Sequence, residues 1–215
     1  MGGRGASSGG SGWTGGNSNL NPADIVSTTS LVSAREDGYQ QEVDETLQTF
    51  KDVAEEYGYI IDDIQLATLK GEGASTLAYY DGSNIAVNAS YFNKAKMESA
   101  YAKCVEQGFH PPQGNKTALQ AVASHELGHA LTDAVGAKLG TTFRNDSATA
   151  ILKEAQKAGK FKGTLADMAG KISGYAKYNP RECIAEAFAD VYCNGKKAQK
   201  ESQAIVNVMN KYLKK

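Results

Sequence analysis

The chain has 215 residues, 41% of them hydrophobic, and a formal net charge of −1. This is enough for one domain with its own core, and the balanced charge gives no reason to expect a nucleic-acid or membrane-surface partner. No apolar run approaches the ~20 residues of a membrane span, and no apolar segment near the start marks a signal peptide. The three cysteines, Cys104, Cys183 and Cys193, are odd in number and lack CxxC spacing, so a disulfide scaffold is not expected and a reducing compartment fits best. Acidic residues crowd positions 35 to 63 and lysines crowd the last twenty, which reads as two solvated helix faces.

Residues 1 to 19 are mostly Gly and Ser and cannot bury enough surface to offset their chain entropy. The expectation is a disordered tail over 1–30, with 20–30 a poorly ordered lead-in, Trp13 a stray residue, and one folded domain over 31–215. Val43, Leu47, Phe50, Ala54 and Tyr57 follow helical spacing up to Gly58. "YIIDDIQLATLKG" reads as a strand. The two β-prone runs around Asp81-Gly82 read as a hairpin. A helix is expected from about Tyr91 to Gln107, then a Pro-rich loop carrying His110. Thr117 to Leu139 is apolar on most sides, the pattern of a central, buried helix. Shorter helices follow at 147–158 and 164–171. Asn179 as N-cap, Pro180 at the first helical position and Asn194-Gly195 as the stop bound another helix. Ile205, Val208, Met209 and Tyr212 mark a last amphipathic one.

Two of the chain's three histidines fall in "SHELGHAL", residues 124–131, on the central helix. His125 and His129 are one turn apart and project from the same face, so both imidazoles can bind one zinc at about 2.0–2.1 Å. Glu126 is placed to hold the metal's water and take its proton. Gly128 leaves room for close packing beside the motif. The segment after His129, "ALTDAVG", offers no third histidine, so a carboxylate from a later helix is the alternative ligand. Glu182 and Glu186 lie four residues apart on the Asn179-capped helix. Glu182 has a competing local reading, because Asn179-x-x-Glu182 is shaped like a capping box. The ligand reading is preferred, since the histidine pair needs a partner and few other candidates exist.

"HELGHA" followed by "SGYAKYNPRECIAEAFAD" resembles the gluzincin metallopeptidases, in particular the family of the anthrax lethal factor catalytic domain and the zincin-like proteins of Firmicutes phages and mobile elements. The likeness covers roughly residues 75 to 192, with its specificity in the two short blocks. The ImmA/IrrE-type peptidases of mobile elements share part of the signature, with a shorter spacing between blocks and a partner domain not evident in this chain.

The resemblance implies an α+β zincin-like fold, with a small twisted sheet packed against the central HExxH helix and a C-terminal helical subdomain. It implies one Zn2+ per chain held by His125, His129 and Glu182. Glu126 would be the general base and Tyr175 an oxyanion donor. Glu186 would orient a ligand histidine, and Asn179 would support the site beside it. It further implies that an edge strand formed by Asn84, Ile85, Ala86, Val87 and Asn88 pairs with extended substrate. The expected activity is zinc-dependent endopeptidase cleavage of a protein or peptide, by a protein encoded by a phage or mobile element. It would be cytoplasmic in the host or virion-associated, with a phage structural partner reached through the N-terminal tail. The rival expectations are a non-proteolytic virion protein that keeps the fold, and a secreted toxin or effector peptidase.

Overall fold

The computed structural model describes Trp13 and residues 20–61, 63–141 and 144–214. Among these, seven α-helices and a four-stranded mixed sheet form an α+β arrangement. The strands are β1 (Ile25–Ser30), β2 (Ile64–Leu69), β3 (Ala78–Tyr80) and β4 (Ile85–Asn88). The helices are α1 (Gln40–Tyr57), α2 (Lys94–Glu106), α3 (Ala118–Leu139), α4 (Arg144–Gly159), α5 (Leu165–Ala169), α6 (Pro180–Asn194) and α7 (Lys200–Leu213).

The helix boundaries follow the capping signals. Gly58 ends α1 at φ +63, a left-handed conformation that a side chain would disfavour. Thr117 and Gln120 close a capping box at the start of α3. Asn179 caps α6, accepting from the Arg181 and Glu182 amides at 3.0 and 3.1 Å, with Pro180 in the first turn. Cys104, Cys183 and Cys193 are free.

The sheet order is β1-β2-β4-β3. β2 and β4 run parallel, and the outer pairs are antiparallel. The hairpin expected around Asp81-Gly82 is β3–β4, pinned by Asp81, whose carboxylate accepts from the Ser83 and Asn84 amides. Its consequence was not anticipated. β4 bonds to β2 on one side and to β3 on the other, so Asn84, Ile85, Ala86, Val87 and Asn88 cannot serve as a substrate-pairing edge. All four residues of β4 are buried, and the Asn88 side chain is spent on the Ala74 and Thr76 carbonyls. The edge on that side is β3.

A second correction concerns the lead-in. Residues 22–24 form a 3-10 turn, and β1 pairs antiparallel with β2. The Asp24 carboxylate accepts from the Gly73 amide at 3.1 Å and anchors the turn to the 71–75 segment. β1 escaped notice because it is a polar outer strand, "IVSTTS", exposed on both faces and so without alternation. Trp13 is not stray: it is half-buried against the apolar cluster that contains Leu131, Ile151 and Ile205. The rest of the expected tail, residues 1–12 and 14–19, lies outside the described residues.

α3 runs through the middle, with 16 of its 22 residues buried. Its N-terminal half, with Leu119 and Val122, joins a core shared with Val43 of α1, Met97 and Tyr101 of α2 and Val87 of β4. Its C-terminal half, with Leu127, Leu131 and Val135, joins a second core with Ile151 and Leu152 of α4, Ile184 and Phe188 of α6 and Ile205 and Met209 of α7. Residues 125–129 therefore fall where the sheet-side and helical cores meet.

Candidate metal centre

The motif residues are held where α3 packs closely on α6. A Cβ on Gly128 would lie 2.8 Å from Ala185 Cα, so the two backbones meet where only glycine fits. Glu182 and Glu186 flank Ala185 by three residues and one, and this contact sets both carboxylates opposite the histidines. An Arg181–Asp133 ion pair at 3.6 Å joins the start of α6 to α3 one turn beyond His129.

Three donor atoms converge. Glu182 Oε2 lies 3.1 Å from His125 Nε2 and 3.4 Å from His129 Nε2. The three residues are buried, and their ligand atoms all lie within 4.8 Å of one another. Donors bonded at about 2.0–2.1 Å to one tetrahedral ion stand roughly 3.3 Å apart, close to the two separations from Glu182. Two imidazole nitrogens and one carboxylate oxygen also make a suitable donor set for a borderline divalent metal. The group could therefore hold a metal ion. Glu182 does not close a capping box: Asn179 caps α6 with its own side chain, leaving the Glu182 carboxylate to face the histidines. Asn179 thus acts as the cap, and the Glu182 carboxylate is not used in one.

The electrostatics match. Burial penalises the Glu182 charge, but the His129 charge and the hydrogen bonds from both imidazoles outweigh it and hold its carboxyl well below the usual range. Burial acts against His125 as a cation, yet Glu182 and Glu186 overcome it and push its pKa well above the ordinary histidine value. A divalent cation entering such a site displaces a proton held between anions. His129 Nδ1 is buried without a hydrogen-bond partner among the described residues.

Glu126 is also buried, and desolvation raises its carboxyl pKa against the opposing pull of His125 and His129. That is the direction expected of a carboxylate that takes up and gives back a proton. Tyr175 lies in a 3-10 turn with its ring stacked on His125, centroids 5.7 Å apart. Burial, reinforced by Glu182, Glu126 and Glu186, keeps its phenol protonated and able to donate. Glu186 is ionised, with a pKa of about 2, because His110 and His125 outweigh the cost of burial.

These groups open onto a cleft of about 1190 Å³. β3, the 72–77 and 20–25 segments, and Tyr175, Tyr178 and Arg181 line it together with the motif residues. The residues that the sequence reading did not place here are His110, Ser173, Tyr178 and Arg181. Only His110 carried a signal, as the third of three histidines; its partner Glu186 is 76 residues away.

Comparison with family models, with curated proteins and with solved structures finds no match to this chain. None of the helices is long and apolar enough to cross a membrane among the described residues.

Proposed function

We propose that the protein is a zinc-dependent endopeptidase of gluzincin type with a zincin-like fold. The observation that carries this reading is the convergence of His125 Nε2, His129 Nε2 and Glu182 Oε2 beside a buried Glu126. A site serving stability alone has no use for Glu126, a buried acid that adds charge without adding a ligand.

Zinc bound there would polarise a scissile carbonyl and acidify water. Glu126 takes the proton from the attacking water and delivers it to the leaving amine. The Tyr175 hydroxyl donates to the oxygen that becomes anionic. The stacking of Tyr175 on His125 supports this role by holding the tyrosine beside a proposed ligand. The cleft is larger than the ~300–1,000 Å³ typical of small-ligand pockets, which favours a substrate several residues long. β3 borders the cleft and, among the described residues, has β4 on one side only, so it is the strand suited to pair with an extended peptide, in place of β4.

The test is cleavage profiling of a peptide library with zinc-loaded wild type beside Glu126→Gln. The expected result is cleavage by wild type and a loss of several orders of magnitude in the variant, with zinc retained. Equal cleavage by both proteins, or none by a fully zinc-loaded wild type, refutes the peptidase reading.

A further inference from the structure

The buried carboxylate of Glu186 is itself held by His110, outside both motif blocks, and by Ser173, the first residue of the second. Glu186 is almost fully buried, and its two oxygens face different partners. Oε2 accepts from Ser173 Oγ at 2.7 Å. Oε1 accepts from His110 Nδ1 at 2.9 Å and lies 2.8 Å from His125 Nδ1. The contact to His125 is close but outside hydrogen-bond alignment. His110 and Ser173 thus hold the Glu186 carboxylate, which abuts the Nδ1 side of the His125 ring.

His110 is unusually well fixed for a loop residue. Its ring lies flat on Tyr101, with centroids 5.4 Å apart and planes at 3°. The Tyr101 hydroxyl donates to the Pro111 carbonyl, and the Asn194 side chain donates to that of Pro112. The Phe109 and His110 amides turn back to the Cys104 carbonyl at the end of α2. On the other side, the Gly108 and Phe109 carbonyls accept from the Gly174 and Tyr175 amides at 2.7 and 3.0 Å. One loop therefore presents His110 to Glu186 and fixes the backbone of Tyr175, and the two rings meet edge to face at 5.4 Å.

We infer that His110 is a positioning residue of the metal centre, which through the buried Glu186 carboxylate holds His125 in the orientation needed to bind the ion. The inference rests on the metal-centre reading above and extends it to residues that ligate nothing. Partners of this kind fix the tautomer and direction of a ligand imidazole, and their loss typically weakens metal binding about 10–100-fold. The geometry also separates hydrogen bonding from packing. His110→Phe keeps a flat ring on Tyr101 and removes the donor. His110→Asn removes the ring and keeps an amide N–H near the Nδ1 position. Ser173→Ala removes the donor to the other oxygen.

The experiment measures zinc dissociation constants of the full chain by chelator competition. Absorption spectra of the cobalt-substituted proteins and melting temperatures are recorded alongside. The expected result is zinc binding about 10–100-fold weaker in His110→Phe, with altered cobalt bands and a melting temperature near wild type. His110→Asn should bind within a few-fold of wild type, and Ser173→Ala should fall between wild type and His110→Phe. Wild-type affinity and cobalt bands in His110→Phe would overturn the inference while leaving the metal centre standing. So would affinity as weak in His110→Asn as in His110→Phe, since packing would then be the cause. A wild-type chain that takes up neither zinc nor cobalt would overturn the metal centre and the inference together.

Discussion

Replacing Gly128 by alanine tests whether the α3–α6 contact builds the site. The added methyl would stand 2.8 Å from Ala185 Cα, 3.1 Å from Phe188 Cβ and 3.3 Å from the Ala185 carbonyl oxygen. These atoms are backbone or fixed to it, so no side-chain rotation relieves the overlap, and the helices must separate by several tenths of an ångström. Overpacking of this kind costs about 1–3 kcal/mol, and alanine's better helix propensity returns about 0.5–1 kcal/mol. The net loss is about 0–2.5 kcal/mol, or up to roughly 10 °C in melting temperature for a chain of this length. The separation also carries Glu182 and Glu186 away from His125 and His129, so zinc affinity should weaken several-fold along with stability. Calorimetry and zinc titration on the same preparation measure both. A Gly128→Ala variant as stable as wild type, with unchanged zinc affinity, would refute the claim that this contact sets the ligand spacing.

Tyr175→Phe should retain fold and zinc while kcat/KM for a cleavable peptide falls by up to about 10²–10³, since one oxyanion donor is lost. A slower reaction explained by weaker zinc binding would remove Tyr175 from the chemistry. Asn179→Ala should cost about 1 kcal/mol in denaturant unfolding, because two amides of α6 lose their cap; zinc stoichiometry should stay at one. Deleting residues 1–19 should lower the melting temperature, because half-burial of Trp13 on the helical core contributes on the order of 1–2 kcal/mol. An unchanged melting temperature would mean that Trp13 adds nothing to stability.

The helices were legible because their signals are local. Gly58, Thr117, Asn179 with Pro180, and Gly195 mark ends by chemistry acting within a few residues, and the burial of α3 follows from its apolar content. The buried group of His125, His129 and Glu182 was legible in part for the same reason: the His125/His129 spacing puts two potential donors on one face, and Glu182 was one of few acids on an apolar helix. Sheet order was not legible. Which neighbour β4 takes on each side depends on the return of the chain through the 71–75 turn and β3, and alternation along "NIAVNAS" carries no record of it. β1 was hidden by its polarity, since an outer strand exposed on both faces has no apolar side to reveal. The link from His110 to Glu186 was invisible for a third reason: it joins the α2–α3 loop to α6 across 76 residues, and no local pattern predicts which loop a buried carboxylate will meet.

Zinc titration of wild type beside Glu182→Ala, with content checked by elemental analysis, tests the central claim most directly. The account predicts one tightly bound zinc per wild-type chain and a large loss of affinity in Glu182→Ala, because two histidines alone leave the ion under-coordinated. Failure of the wild type to bind zinc, or equal affinity in the two proteins, would contradict it.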